Sequence, residues 1–202
     1  DKALYLAKEK GKNRHIIYEE RLHGRLESDD MQNMAMAYAV SKEKKREVIT
    51  AMITELCISG VDSIVKKEER LQQIRSLFDL DGITILSDAG ASLVCRNGNY
   101  IAGVTDGRGL FEDEKYLALF GDDDNFVESN MVKLRSRNSA AFAVMQKQEI
   151  GASLQCLSRK EGVPNVIVHY DVFNRNRKWS DEDVTLLSIL GHCIGNLLNY
   201  SE

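Results

Sequence analysis

The sequence predicts an α+β domain: an antiparallel sheet with helices packed against it, preceded by a long helix. Three observations support this prediction. Residues 82–87 alternate as a strand does, two hairpins are indicated around Asn97-Gly98 and residues 160–164, and helical periodicity precedes, separates and follows the strands.

The first 18 residues have a different pattern. Residues 1–12 read as the end of a helix that Gly11 stops, and residues 15–18 read as a short strand. A segment this short cannot bury a core of its own, so we expect it to belong to another domain.

Residues 21–59 are rich in helix formers and contain no proline, which predicts one long helix or two abutting helices. Two interpretations of its apolar positions stay open. The helix packs only on its own domain, or it also pairs with a second subunit, in which case Met52 and Leu56 would contribute to a dimer interface.

From residue 61 onward the elements shorten. A helix is predicted over 66–78, a strand over 82–87, and a hairpin of strands 92–96 and 100–104 turning at Asn97-Gly98. Residues 105–130 lose periodicity and predict a long connection with one helix near 112–120.

The last third predicts a strand over 131–135, a helix capped by Ser139, and a hairpin of strands 152–158 and 165–173. Ser180 is predicted to open the final helix, with Asp183 in the position of a capping-box partner. An apolar stripe on that helix is predicted to be buried. Its members are Val184, Leu187, Leu190, Ile194, Leu197 and Leu198.

Composition excludes several classes of function. The 202 residues carry 27 basic and 31 acidic side chains, a net charge of −4, so we expect no nucleic-acid partner. The longest uncharged stretch, residues 184–201, is too polar to span a bilayer, and no secretory leader is visible, so we expect no membrane insertion and a cytoplasmic location. The four cysteines lack metal-ligand spacing and are interpreted as reduced and mostly buried; no metal site is predicted.

Residues 1–14, DKALYLAKEKGKNR, resemble the closing motif of GGDEF domains, the diguanylate cyclases. By that resemblance Lys8 and Lys12 fall where the family keeps a lysine and an arginine near the phosphates of bound GTP. Lys12 departs from the usual arginine and would supply a point charge rather than a fork. The signature loop and metal-binding carboxylates have no counterpart, so the resemblance implies a remnant over residues 1–20, then a helical linker over 21–41, and no cyclase activity in this chain.

Residues 42–200 resemble a GAF domain, a PAS-related fold, in the order of their predicted elements and in the ending Trp179-Ser-Asp-Glu-Asp183 with Leu186 and Leu187. The resemblance implies a GAF-type sensory domain over residues 42–202. It also implies a module that binds a small molecule or a protein, often as a dimer through its flanking helices. Here these helices are residues 21–59 and 180–199.

The ligand cannot be read from the sequence, and no cofactor is identified. Phytochrome-type GAF domains place a cysteine beside a histidine in the chromophore loop, whereas the only such pair here, His192-Cys193, falls in the final helix. The cyclic-nucleotide signature is absent as well. On the strand 165–173, the apolar face that includes Tyr170 is predicted to face the core or the pocket. The full set of candidate pocket residues is Ile101, Leu134, Arg135 (as an anion partner), Phe142, Met145 and Tyr170.

The sequence therefore predicts a regulatory domain of a bacterial GGDEF-containing cyclic-di-GMP signalling protein. It would bind a small ligand and modulate dimerisation or an attached cyclase domain. The alternative is a degenerate GAF domain that only dimerises or binds proteins. An enzyme such as a GAF-type methionine sulfoxide reductase would require an activated cysteine pair. No catalytic residue is predicted.

Overall fold

The structure is a computed structural model that describes residues 28–60, 68–88, 92–96, 99–102 and 108–199. The chain divides into two compact units, residues 1–47 and 48–202. The segment 1–18, with Lys8 and Lys12, and the predicted turn Asn97-Gly98 lie outside the described residues.

Helices and strands alternate along the described chain in the predicted α+β manner. The helices are α1 (Ser28–Ser59), α2 (Glu68–Leu77), α3 (Arg108–Phe111), α4 (Glu114–Leu117), α5 (Met131–Arg137), α6 (Ser139–Lys147) and α7 (Asp181–Asn199). The strands are β1 (Gly82–Ser87), β2 (Ser92–Arg96), β3 (Asn99–Ala102), β4 (Asn125–Glu128), β5 (Ile150–Lys160) and β6 (Val163–Phe173).

The strands form one six-stranded sheet in the order β3-β2-β1-β6-β5-β4, and each neighbouring pair is antiparallel. Both predicted hairpins are confirmed, because β2 pairs with β3 and β5 pairs with β6. The second turn has positive φ at Glu161 (53°) and Gly162 (85°), and glycine adopts that region without a steric penalty.

Each face of the sheet buries its own hydrophobic core. On one face, α7 and α2 pack over residues such as Ile83, Leu154 and Val168. On the other face, α4, α5 and α6 pack over residues such as Leu157 and Ile167. Since successive strand residues point to opposite faces, every central strand is divided between the two cores.

Met52 and Leu56 of α1 belong to the first of these cores and are fully buried, each with 0% exposure. The prediction that these two side chains contribute to a dimer interface is therefore wrong: they pack within the chain. The same helix carries exposed apolar side chains elsewhere, at Met36 (69% exposed) and Val40 (68%).

The predicted elements between residues 105 and 148 need three corrections. Residues 131–135 belong to the helix α5 and not to a strand; the strand of this region is β4, just upstream. The N-cap of α6 is Asn138, whose side chain accepts from the Ala141 amide at 2.9 Å, and not Ser139. The described part of the predicted connection, residues 108–130, contains two short helices and β4 instead of one helix.

The final helix agrees with its prediction. The Ser180 hydroxyl accepts from the Asp183 amide at 3.1 Å, and the predicted stripe is buried or half-buried against the first core. Close packing depends on two glycines, because a β-carbon at Gly191 would lie 2.7 Å from Cys156 Sγ and one at Gly195 would lie 2.6 Å from Ser158 Cβ. Within the described residues, no helix has the length and apolar character needed to cross a membrane.

Candidate ligand-binding site

A cavity of about 300 Å³ opens between the sheet and the helices α3, α4 and α6. Its polar lining comes from Thr84, Asp113, Tyr116, Gln148 and His169. Its apolar lining comes mainly from Leu86, Leu110, Ala141, Val144, Met145 and Ile150. An apolar concavity with a few converging polar groups is typical of small-molecule sites.

The floor of the cavity carries two polar side chains from neighbouring strands. Thr84 of β1 and His169 of β6 lie directly opposite each other in the strand register, and they are only 6% and 7% exposed. Side chains opposite each other on adjacent antiparallel strands lie close together, so a hydroxyl and an imidazole are presented at one place.

A chain of buried hydrogen bonds runs beside the floor. Tyr116 Oη donates to Gln155 Oε1 at 2.5 Å, Gln155 Nε2 donates to Ser153 Oγ at 3.1 Å, and Ser153 Oγ donates to Asp171 Oδ1 at 2.6 Å. All four side chains are at most 1% exposed. Burial, together with the negative charges of Asp171 and Asp113, raises the pKa of Tyr116, so its phenol stays a neutral donor.

The helical walls are held in place by side-chain caps. Asp113 Oδ1 accepts from the amides of Lys115 and Tyr116 at 3.0 and 3.1 Å and so caps α4. Asn138 caps α6 through its Oδ1 and donates from Nδ2 to the Lys115 carbonyl at 2.9 Å. Asn138 therefore ties α4 to α6, two helices that both contribute to the cavity wall.

The structure brings one of the predicted pocket residues to this cavity. Met145 lines it and is 3% exposed. Leu134 is buried in the adjoining core, whereas Arg135 is exposed, with its guanidinium carbon 5.8 Å from the ring centroid of the half-buried Phe142. Ile101 is in β3, and its side chain lies outside the described part of the structure.

Tyr170 lies on the opposite face of the sheet, in the core beneath α7. The apolar face of β6 therefore faces a core, one of the two places predicted for it, and Tyr170 does not line this cavity. The strand is covered on both faces, and the more polar face, with His169 and Asp171, is the one directed to the cavity side. The helices α4, α5 and α6 cover this more polar face.

Sequence reasoning also missed Thr84, Tyr116, Gln148 and Asp113. Tyr116 and Asp113 fell in the stretch interpreted as an irregular connection, so no periodicity assigned them a face. One signal was present: Ser153, Gln155 and His169 alternate with apolar residues in the central parts of β5 and β6. Polar residues embedded in long β-strands indicate either a solvated face or a polar site.

The three cysteines whose side chains the structure describes, Cys57, Cys156 and Cys193, do not have the features of an activated pair. Burial raises the pKa of Cys156 to about 12, and burial and then the nearby Cys57 raise the pKa of Cys193. Reactive thiols have lowered pKa values instead. Cys57 is exposed, which corrects its interpretation as a buried residue. The His192-Cys193 pair lies in α7, and His192 Nε2 is 3.1 Å from Asn125 Oδ1.

The acidic cluster at 122–124 is used for hydrogen bonds and ion pairing. Asp124 pairs with Arg159 through two nitrogens, Nε and Nη2, at 3.0 and 2.9 Å. Asp123 accepts from Asn125 Nδ2 at 2.9 Å, which is the main cause of its lowered pKa. These contacts join the turn before β4 to β5 and fix the sheet edge.

Comparison with solved structures identifies the fold. The chain is similar to the chromophore-binding domain of Stigmatella aurantiaca bacteriophytochrome (TM-score 0.59, 15% identity, 80% of this chain and 61% of that chain). It is also similar to a biliverdin-bound domain in its far-red absorbing dark state (TM-score 0.57, 14% identity, 76% and 98% of the two chains). A third similar structure is the phycocyanobilin-bound GAF domain of a cyanobacterial phytochrome (TM-score 0.55, 13% identity, 79% and 92%).

Sequence comparison adds no further assignment. No protein-family profile matches the chain, and no curated protein matches it in sequence. The structural matches share less than one residue in six with this chain, so they establish architecture only. The predicted fold class is thereby confirmed: the chain has a GAF-like α+β fold, an antiparallel sheet flanked by helices.

Proposed function

We propose that the chain is a sensory GAF-type domain that binds a small molecule in the cavity between the sheet and α3, α4 and α6. The observation that carries the proposal is the cavity itself, about 300 Å³, with Thr84, His169 and Asp113 among its lining. A degenerate domain that serves only for assembly does not require such a cavity. The converging polar groups favour the sensor over that alternative.

The chromophores of the similar structures do not fit as covalent ligands here. The described lining contains no cysteine, and the His192-Cys193 pair belongs to α7, which packs on the opposite face of the sheet. The volume equals that of roughly ten water molecules in the liquid. A metabolite much smaller than a tetrapyrrole is the better match.

The signalling context comes from the sequence. The GGDEF-like segment 1–18 supports a bacterial cyclic-di-GMP signalling protein, in the cytoplasm, in which this domain modulates an attached cyclase domain. Diguanylate cyclases require two GTP sites facing each other, so the pairing of subunits is a natural point of control. Control of this kind requires that the ligand bind the two arrangements of the subunits with different affinity.

A homodimer through helices 21–59 and 180–199 is part of the proposal. Met36 and Val40, one helical turn apart on α1, and Ile189 (50% exposed) on α7 are the exposed apolar side chains that support it. Replacing Met36 and Val40 by glutamate is expected to lower the mass measured by light scattering from dimer to monomer. Val163→Glu, at a 62% exposed position in the β5-β6 hairpin, is the control.

Ligand retention tests the sensory role. Val144 lines the cavity and is 40% exposed, so tryptophan at this position can fill the space without entering the packed core. In native mass spectrometry the unmodified chain is expected to carry an added small mass that denaturation removes, and Val144→Trp is expected to lack it. Val132→Trp, on a 74% exposed position of α5, is the control and should keep the added mass.

Retention of the same mass by Val144→Trp would place the ligand outside this cavity. An added mass on none of the three proteins would favour the assembly module over the sensor.

A further inference from the structure

Among the described residues that line the cavity, negative charge comes from an aspartate. Asp113 is the one carboxylate among its described lining residues, and no described lysine or arginine side chain lines it. A second, buried carboxylate, that of Asp171, is connected to the lining residue Tyr116 by the hydrogen bonds of Gln155 and Ser153. Both carboxylates act electrostatically on the Tyr116 phenol.

The Oδ2 atom of Asp113 is available to a ligand in the cavity. Its Oδ1 accepts the two amides of the α4 cap, and no hydrogen bond to Oδ2 occurs within the described contacts. Lys115, the nearest lysine along the chain, has an exposed side chain. An anion brought into this space would be desolvated beside a carboxylate, whereas a cation would gain a partner.

The remaining lining provides mostly apolar contacts. Leu86, Val144, Met145 and Ile150 provide hydrocarbon contacts, and Thr84 and His169 provide hydrogen-bonding groups on the floor. The volume of about 300 Å³ limits the ligand to the size of one or two rings.

We propose that the cavity selects a small organic cation with N–H donors on a flat apolar body, such as an amidine or a protonated amine, and that Asp113 determines this charge preference. The inference rests on the proposed ligand-binding function and adds the class of ligand.

Three probes of nearly equal shape test it: benzamidine, which is a cation, benzamide, which is neutral, and benzoate, which is an anion. Saturation-transfer NMR titrations of the full chain are expected to give a dissociation constant for benzamidine about tenfold or more below that for benzoate, with benzamide between them. Asp113→Asn is expected to reduce this difference to less than about threefold. Asparagine caps helices as well as aspartate does, so α4 is retained.

Asp122→Asn removes the same charge from an exposed position and should keep the preference for benzamidine. The proposal is overturned if benzoate binds as tightly as benzamidine, if Asp113→Asn leaves the preference intact, or if none of the three probes binds. In the first two cases the cavity remains a binding site and only the ligand class fails. In the third, the mass-spectrometric comparison of Val144→Trp with Val132→Trp decides the sensory role separately.

Discussion

The Tyr116 hydroxyl donates to Gln155 Oε1 at 2.5 Å, across 39 residues of sequence, and this bond joins α4 to the central part of the sheet. Both side chains are at most 1% exposed, so neither can exchange its partner for water. The bond fixes the wall helix α4 to β5, beside the floor of the cavity. A buried polar pair of this kind makes the shape of the site depend on one hydroxyl.

Tyr116→Phe is therefore expected to lower the free energy of unfolding by about 1–3 kcal/mol, because Gln155 Oε1 loses its donor in a buried site. Tyr170→Phe is the matched control. Tyr170 is equally buried, but its hydroxyl has no hydrogen-bond partner within the described residues, so a change under about 1 kcal/mol is expected. Urea denaturation measures both, and equal losses would contradict the role assigned to the Tyr116 bond.

Gly195→Ala is expected to destabilise the domain by about 1–3 kcal/mol, because the added carbon would lie 2.6 Å from Ser158 Cβ and push α7 away from β5. Gly109→Ala is the control: nothing lies within 4 Å of its added carbon, and alanine in place of glycine restricts the unfolded chain. In thermal unfolding, Gly195→Ala should lower the melting temperature and Gly109→Ala should raise it. Unchanged stability of Gly195→Ala would show that α7 is not seated closely on the sheet.

Arg177 joins the end of α2 to the start of α7, and its replacement by alanine is expected to lower the free energy of unfolding by about 3–5 kcal/mol. It donates to the Phe78 carbonyl at 2.5 Å and to Asp183 Oδ2 at 3.1 Å, and its guanidinium carbon lies 4.3 Å from the Trp179 ring centroid. Arg177→Ala should lower the midpoint of urea unfolding strongly, and lysine should not restore it because the fork is lost. Arg175→Ala, at a mostly exposed ion pair, should cost under about 1 kcal/mol, and a comparable cost at both positions would count against the role of Arg177.

The domain is expected to lose stability in mild alkali. Burial raises the pKa of Cys156 to about 12, whereas an exposed thiol in the unfolded chain titrates near about 8.5. Between these values the unfolded chain has released a proton that the native state keeps. The free energy of unfolding therefore falls as the pH rises, by up to about 1.4 kcal/mol per pH unit from this thiol.

Cys156→Ser removes the titrating thiol. Between pH 8.5 and 10 the free energy of unfolding of this variant should therefore fall less steeply with pH, by an amount that corresponds to close to one proton released on unfolding. Urea denaturation at several pH values under reducing conditions provides the slope. An identical slope in the variant would mean that the native thiol is not shielded from ionisation.

Much of the architecture could be predicted from the sequence because local signals agreed with the tertiary structure. The alternation of residues 82–87 and the Ser180 cap each specify an element independently of its surroundings. The helix α5 was missed because Met131 to Arg135 alternates as a strand does, and only its packing beside α6 gives that stretch a helical face.

The site could be predicted only in part, for a reason specific to its strands. Met145 was found because it belongs to an amphipathic helix with a clear apolar face. Tyr170, a candidate pocket residue, lies in the core on the other face, because β6 is buried on both faces and hydrophobicity alone does not say which of the two cores contains the cavity. Thr84 and His169 become a pair only through the β1-β6 register, which joins residues 85 positions apart.

Methionine-methyl NMR tests the central claim, that the cavity on the α4-α6 side of the sheet binds a small molecule. Met145 lines this cavity, and Met52 lies in the core on the opposite face, so one labelled sample contains both the reporter and its control. On addition of the low-molecular-mass fraction of a bacterial extract, the Met145 methyl resonance is expected to shift saturably while that of Met52 stays in place. A saturable shift at Met52 alone, or no shift at either methyl, would contradict a ligand site in this cavity.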